Sequence, residues 1–272
     1  MSSDARVPSD DRLIFAMGGG GFTMEPANPL LDDYVLSLCS SPEPRILFLP
    51  TASGDTTGQI NAFRDRFSDR TCVAEHLSLF RLGESRRTLR DVVLAQDIIY
   101  AGGGSMRNLL AIWRAHGLDG LLVQAWQRGA VLAGLSAGAM CWFEAGVSRS
   151  SGPPEPLAGL GLLEGSLTVH ADGEPERLPV WLAQIRRGTI PGGWAVDDGV
   201  GLLFRGLRLD RVVSSRPGAG AERVDAIAGE LVRRRLAATL LDREPHLGGF
   251  DESVQELRRV HRTRRRIVGG WG

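Results

Sequence analysis

Three parts of this chain carry residue types that could do chemistry together. The first is Gly134-Leu135-Ser136-Ala137-Gly138, within the run AVLAGLSAGAMCWF at 130–143. It fits G-x-S-x-G, a pattern that mounts a serine on a tight turn between a strand and a helix. The small neighbours have a physical reason. A turn that lifts a hydroxyl clear of the backbone leaves no room for bulk, and the helix after it must pack close. The N-terminus of that helix would also aim free N–H groups at developing negative charge. A serine in such a turn can equally be a plain N-cap, so the pattern alone leaves nucleophile and cap both open.

A nucleophilic serine needs a base. Of the five histidines, His76 falls in an expected strand and His116 at an expected helix end, where structural roles suffice. His246 follows a proline, and His261 sits in a basic tail. His170 differs, because it stands where the β-like run Leu167–Val169 meets a polar turn. A base needs an acid to orient it. Asp172 is two residues away, a spacing that seldom brings a carboxylate onto the ring, while Asp197 and Asp198 share a turn between two β-like runs. An oxyanion would need N–H donors, which Ala137 and the glycine turn of AGGGSMRNLL (101–110) could supply. The rival for a glycine turn is a phosphate cradle. No lysine follows in P-loop fashion, and neither GGGG at 18–21 nor GGG at 102–104 fits GxGxxG.

The elements that must hold these residues follow from the apolar pattern. Leu13–Met17, Arg45–Pro50, Asp97–Ala101 and Ala130–Leu135 are apolar on both faces, as buried strands are. Helix-like segments lie between them, at about 28–40, 57–70, 84–95 and 106–128. The last breaks at HGLDG (116–120), where Gly117 suits a C-cap. Alternating strands and helices imply a parallel sheet covered on both faces, with its site at the carboxyl ends of the strands. After residue 150 the texture changes. SSGPPEP reads as loop, and 174–187 as a helix with Arg177, Arg186 and Arg187 on its polar side. From 194 to about 240 the short, β-branched, glycine-punctuated segments read as antiparallel strands, although 222–240 would also serve as a helix.

Composition sets the outer bounds. A chain of 272 residues, 43% hydrophobic, can bury one sizeable core. Its 32 basic and 32 acidic residues cancel, which argues against nucleic acid or an anionic membrane as partner. Cys39, Cys72 and Cys141 are odd in number and lack CxxC spacing, so they read as reduced thiols and not as a disulfide framework or zinc site. The polar start MSSDARVPSDDR and the want of an 18-residue apolar run point to a cytoplasmic protein.

The ordered pieces YAGGGSMRNLL, GLSAGAMCWF, LGLLEGSLTVHADGE, AVDDGVGLLF and VVSSRPG, spanning about 98 to 218, resemble the peptidase E-like serine peptidases. That family includes aspartyl dipeptidases and cyanophycinases. The resemblance implies a three-layer α/β/α sandwich with a mostly parallel central sheet, related to class I glutamine amidotransferases. Additional antiparallel β segments are expected toward the C-terminus, with one domain over 1–250 and a basic tail over 251–272. By the same resemblance the nucleophile falls on Ser136, the base on His170, and the acid on Asp198 with Asp197 as runner-up. The oxyanion donors fall on Gly104 and Ala137. Ser105 stands where many members carry asparagine, and Arg177 lies one residue from the place of the dipeptidases' arginine; both are assigned to substrate binding.

The implied activity is hydrolysis of short peptides, with an acidic residue on the acyl side, through a Ser-His-Asp triad and an acyl-enzyme. No metal or organic cofactor is required, and the oligomeric state is left open, with a homodimer as one option. Three rivals remain beside it: a cyanophycinase-like hydrolase, an α/β-hydrolase esterase and a non-catalytic binding module. The esterase would need His246 with Asp198 or Asp225, and an HGGG-type loop for which GGGG at 18–21 lacks the histidine.

Overall fold

A computed structural model describes residues 6–84 and 87–242. The expected domain boundary at 250, the basic tail at 251–272, His246 and His261 lie outside the described residues.

The strands of the first half fall close to their expected places. They are β1 (Leu13–Met17), β2 (Arg45–Leu49), β3 (Val73–His76), β4 (Ile98–Ala101) and β5 (Val131–Leu135). Between them run α1 (Gly21–Met24), α2 (Leu30–Ser37), α3 (Thr57–Phe67), α4 (Leu89–Leu94), α5 (Met106–His116) and α6 (Leu118–Gln127). Gly117 breaks α5 from α6 with a left-handed φ of 66°. The helix expected at 84–95 begins only at Leu89, because the Thr88 hydroxyl accepts the Asp91 N–H and caps it.

The second half continues with α7 (Ala137–Met140), β6 (Phe143–Ser148), β7 (Glu155–Ala158), β8 (Leu163–Val169), α8 (Arg177–Arg186) and β9 (Gly193–Val196). It closes with β10 (Val200–Arg205), β11 (Arg208–Ser214), β12 (Ala221–Ile227), β13 (Glu230–Leu236) and β14 (Thr239–Leu240). The 222–240 stretch is thus a hairpin and not a helix. Ala228 and Gly229 both take positive φ between β12 and β13, the conformation that a two-residue hairpin turn demands.

Among the described residues the strands form two sheets. The larger has the order β14-β11-β10-β1-β5-β4-β2-β3. Its pairs β1–β5, β5–β4, β4–β2 and β2–β3 are all parallel. Side chains alternate cleanly across it. Phe15, Ile46, Phe48, Ile98, Tyr100 and Val131 face Leu31, Val35, Phe63 and Phe67 of α2 and α3. Ile14, Leu47, Leu49, Ile99 and Leu132 face Leu109, Leu110, Trp113 and Leu122 of α5 and α6. The smaller sheet, β13-β12-β9-β8-β6-β7, shares that second core through Phe143, Leu163, Leu167 and Val169. Its other face is covered by Trp181 and Ile185 of α8. The β9–β10 connection therefore carries the chain from one sheet to the other, with Asp197 and Asp198 in it.

Burial also reaches a carboxyl. Asp32 is fully buried and is pushed up to about 7 by desolvation, against the pull of the Arg66 guanidinium 3.0 Å away. The surrounding core is aromatic: Phe48 stacks on Phe63 at 4.9 Å between centroids and meets Phe22 edge-on at 5.2 Å. Phe48→Ala should cost about 3–5 kcal/mol of unfolding free energy. Urea unfolding should show the lower midpoint with an unchanged slope.

Candidate active site

Ser136 leaves the end of β5 with φ 53° and ψ −113°, a strained conformation for a residue with a side chain. Its N–H donates to the Met17 carbonyl at 3.0 Å, and its own carbonyl accepts the Ala139 and Met140 N–H groups at 2.9 Å. Both glycines of the pentapeptide are set by contact. A Cβ on Gly134 would lie 2.0 Å from the Gly138 carbonyl oxygen, and one on Gly138 would lie 2.2 Å from that of Ala101. The helix expected after the serine is α7, a single turn of four residues. It is too short to carry a helix-scale dipole, so local amides replace the expected helix terminus as the source of N–H donors.

His170 follows β8 with φ 54°. Its carbonyl accepts the N–H groups of Gly173 at 3.1 Å and Glu174 at 2.8 Å, which fixes the turn. The imidazole Nε2 lies 2.9 Å from Ser136 Oγ, and Nδ1 lies 2.5 Å from Asp198 Oδ1. The structure thus brings Ser136, His170 and Asp198 into one line. Asp197 is turned away, accepting the Gly220 N–H at 2.9 Å and pairing with Arg235 at 3.1 Å. Asp172 accepts the backbone N–H of Asp198 at 2.8 Å and so steadies the acid's turn.

Burial pushes the Asp198 carboxyl up, but the hydrogen bond and charge of His170, then Arg216 and Arg177, draw it further down. It ends below its ordinary value. A depressed acid stabilises the fold above its unfolded pKa, and that contribution is lost as pH falls through the folded value.

The glycine run at 18–21 also belongs to this site, which sequence reasoning missed. Gly19 bridges Asp198 in parallel register. A Cβ there would stand 1.9 Å from Asp198 Oδ1 and 2.8 Å from His170 Nδ1. The available signal was four glycines at the carboxyl end of β1. From the neighbouring strand end, Gly104 takes φ 139° against the Ala52 carbonyl, where a Cβ would lie only 2.3 Å from the oxygen. Gly103 runs beside Ser136, its Cβ position 3.4 Å from that of the serine. Among the described residues neither the Gly104 nor the Ala137 N–H has a protein acceptor.

Ser136 opens into a cleft of about 270 Å3, walled by Gly104 and Ser105, by Met140, by the loop Ser148–Ser150 and by Arg177. Ser105 also caps α5, its hydroxyl accepting the Asn108 N–H at 3.1 Å. Arg177 was expected on the polar side of its helix; it is buried instead, because α8 packs that face onto the smaller sheet. Its Nη2 meets Glu174 at 2.8 Å, while Nε and Nη1 are buried without hydrogen-bond partners. Desolvation lowers the Arg177 pKa from its ordinary value. Arg149 spans toward Glu174 and Glu176, each at 3.7 Å. A larger groove of about 380 Å3 lies between α8 and β13, but its lining carries no acid–base pair. Among the described residues no three histidine, cysteine or carboxylate side chains gather as a metal would require, and no helix is long and apolar enough to cross a membrane. No disulfide joins Cys39, Cys72 and Cys141.

A strained serine at a strand end, beside a histidine–aspartate pair on an α/β scaffold, is the arrangement of a serine hydrolase. Residues 14–212 match Peptidase family S51, and the chain belongs to that family of serine-type peptidases. The uncharacterized peptidase YgaJ of Bacillus subtilis (strain 168) is 49% identical over 213 residues, covering 78% of this chain and 92% of that one. The fold is similar to the crystal structure of a peptidase from an acI-B1 actinobacterium, with a TM-score of 0.65 at 19% identity over 84% of this chain and 94% of the other. It is also similar to that of a protein from Listeria monocytogenes EGD-e named as a candidate peptidase E. There the TM-score is 0.53 at 17% identity, over 83% of this chain and 99% of the other.

Replacing Gly19 with alanine should separate His170 from Asp198 and lower kcat/KM by roughly 100-fold, the scale of an ångström-sized misplacement. Gly58→Ala is the control, since nothing lies within 4 Å of its Cβ position in α3. That variant should keep full kcat/KM and gain about 0.5–1 kcal/mol in unfolding. Steady-state kinetics and thermal melts on both variants check the pair.

Proposed function

We propose that this peptidase hydrolyses short peptides bearing an acidic residue on the acyl side, through an acyl-enzyme on Ser136. The observation that carries this reading is the unbroken hydrogen-bond line from Ser136 Oγ through His170 to Asp198. Ser136 Oγ attacks the scissile carbonyl while His170 Nε2 takes its proton. The imidazolium then protonates the leaving amine. Water, deprotonated by the same nitrogen, hydrolyses the ester. Asp198 holds the Nδ1–H tautomer throughout. The Gly104 and Ala137 N–H groups receive the oxyanion, each donor supporting about 3 kcal/mol of transition-state stabilisation.

Substrate size follows from the cleft, whose 270 Å3 is at the small end of ligand sites. The acidic preference is read from Arg177, a cation that lines the cleft and is only partly paired by Glu174. Short peptides of this kind arise from protein turnover in the cytoplasm, which we take as its place of action.

Ser136→Ala should lower kcat by at least about 1,000-fold on any cleaved dipeptide while leaving the melting temperature in place. Undiminished turnover would end the acyl-enzyme reading. Across a panel of Asp-, Glu-, Asn- and Leu-initiated dipeptides, wild type should favour the acidic members. Arg177→Met should erase that preference through kcat/KM for acidic substrates alone. Equal wild-type rates on Asp- and Leu-initiated peptides would show that the cleft does not select charge.

A further inference from the structure

The glycine turn beside the serine is held from outside the cleft. Its two flanks are pinned by backbone. The Gly102 N–H donates to the Leu49 carbonyl at 3.0 Å, and the Ser105 N–H donates to the Ala52 carbonyl at 2.8 Å. Between them, the carbonyl of buried Gly103 accepts Gln59 Nε2 at 3.4 Å. Gln59 stands in the first turn of α3 and is not among the residues that wall the cleft. Among the described residues its Oε1 is buried without a hydrogen-bond partner, 3.3 Å from where a Cβ on Gly102 would lie. The donor end of the carboxamide is the end that is engaged.

The local sequence offers Gln59 a nearer partner. Thr56 is the N-cap of α3 and Gln59 its third residue, the S/T-x-x-E/Q spacing in which a glutamine turns back to the N-cap N–H. Neither half of that box is made. The Thr56 side chain caps nothing, and the Thr56 N–H goes to Ser53 Oγ at 3.4 Å. Gln59 reaches instead to a turn 44 residues along the chain.

That reach bears on the next N–H. The Gly103–Gly104 peptide is trans and planar, so its carbonyl and its N–H point in opposite directions. Tying the carbonyl to α3 turns the Gly104 N–H away from α3. Gly104 lines the cleft with Ser136, and Gly103 runs beside the serine. A peptide plane between two glycines meets no side-chain hindrance to rotation. Turned over, it would set a carbonyl oxygen against the oxyanion in place of a donor.

We propose that Gln59 is a positioning residue that, by holding the Gly103 carbonyl, keeps the Gly104 N–H turned to the oxyanion. This rests on the acyl-enzyme reading above, with Gly104 as one of its donors.

The test uses Gln59→Met and Gln59→Glu in the full chain. The measurements are kcat and KM on one cleaved dipeptide, thermal melts, and inhibition by a peptidyl trifluoromethyl ketone with the same acyl side. Ser136 Oγ adds to the ketone carbon, its proton passes to His170, and the ketone oxygen becomes an oxyanion with no leaving group lost. Both variants lack the donor. Glutamate also keeps the capping spacing and sets negative charge at a helix N-terminus, so its melting temperature should hold or rise. Both should lower kcat by roughly 10- to 100-fold, less than the roughly 100- to 1,000-fold of deleting an oxyanion donor outright. KM should stay within about twofold, as for an interaction made only in the transition state, and affinity for the ketone should fall in step with kcat. Wild-type kcat in the methionine variant would overturn the proposal. So would a loss in which KM rises as far as kcat falls, or one that leaves ketone affinity at its wild-type value, since a merely structural role gives either. Fluorine NMR separates the two readings. A wild-type enzyme that forms no ketone adduct sinks the acyl-enzyme itself, whereas a wild-type adduct with unmoved Gln59 variants sinks the positioning role alone.

Discussion

No side chain can stand at Gly19. The space that a Cβ would take is occupied by the Asp198 carboxylate and the His170 ring, and much of the molecule is arranged around that closeness. Asp198 sits in the connection from β9 to β10, where the chain passes from the smaller sheet to the larger. His170 ends β8 of the smaller sheet, and Ser136 ends β5 of the larger. The three side chains line up only if the two sheets dock in one register. The Gly19–Asp198 bridge, and the Gly18 N–H donating to the Val200 carbonyl at 2.9 Å, set that register at the seam itself. A rigid, shared core beneath, from Trp113 and Leu122 to Phe143 and Leu167, keeps it there.

The seam stores strain. Ser136 and His170 are two of the four non-glycine residues with positive φ among those described, and each such residue costs about 1–3 kcal/mol. The surrounding hydrogen bonds show how the strain is tolerated. Ser136 is bound through both its N–H and its carbonyl, and the next N–H after His170, that of Ala171, donates to Val196 at 3.1 Å. Each strained turn is thus tied to the neighbouring strand of its own sheet, β1 for Ser136 and β9 for the turn after His170, and relaxing either would break those bonds. Strain that survives in this way, on the two residues that share a hydrogen bond, is a sign of function and not of poor packing.

Much of this arrangement was legible in the chain. The parallel strands could be read because β1, β2, β4 and β5 are apolar on both faces, which only a doubly covered sheet requires. Ser136 and His170 stood out because a polar residue followed each buried run. Choosing between Asp197 and Asp198 was harder. Adjacent residues at a strand end point opposite ways, and only the docking of the sheets decides which way faces the histidine. GGGG at 18–21 could not be tied to the acid and base for a related reason: Gly18 and Gly19 meet residues about 150 to 180 positions away, and no local pattern reports those. Arg177 was misplaced because its helix was taken as having one polar side facing water. In the fold α8 lies on a sheet, and a charged residue at its first turn is drawn beneath the loops that wall the cleft. The segment at 222–240 read as antiparallel strands with a helix as the alternative, and the paired positive φ at Ala228 and Gly229 makes it a hairpin.

The cleft's electrostatics complete the argument. Burying a guanidinium is costly unless its donors are met, and Glu174 meets only one side of Arg177. The hydroxyls nearby do not fill the gap: Ser105 is bound to the Asn108 amide, and Ser148 and Ser150 are bound to each other at 2.7 Å. Arg177 Nε and Nη1 are thus buried polar groups whose cost the fold bears. Arg177, Ser136 and Gly104 line the same small volume, so the charged wall and the strained serine share one cleft.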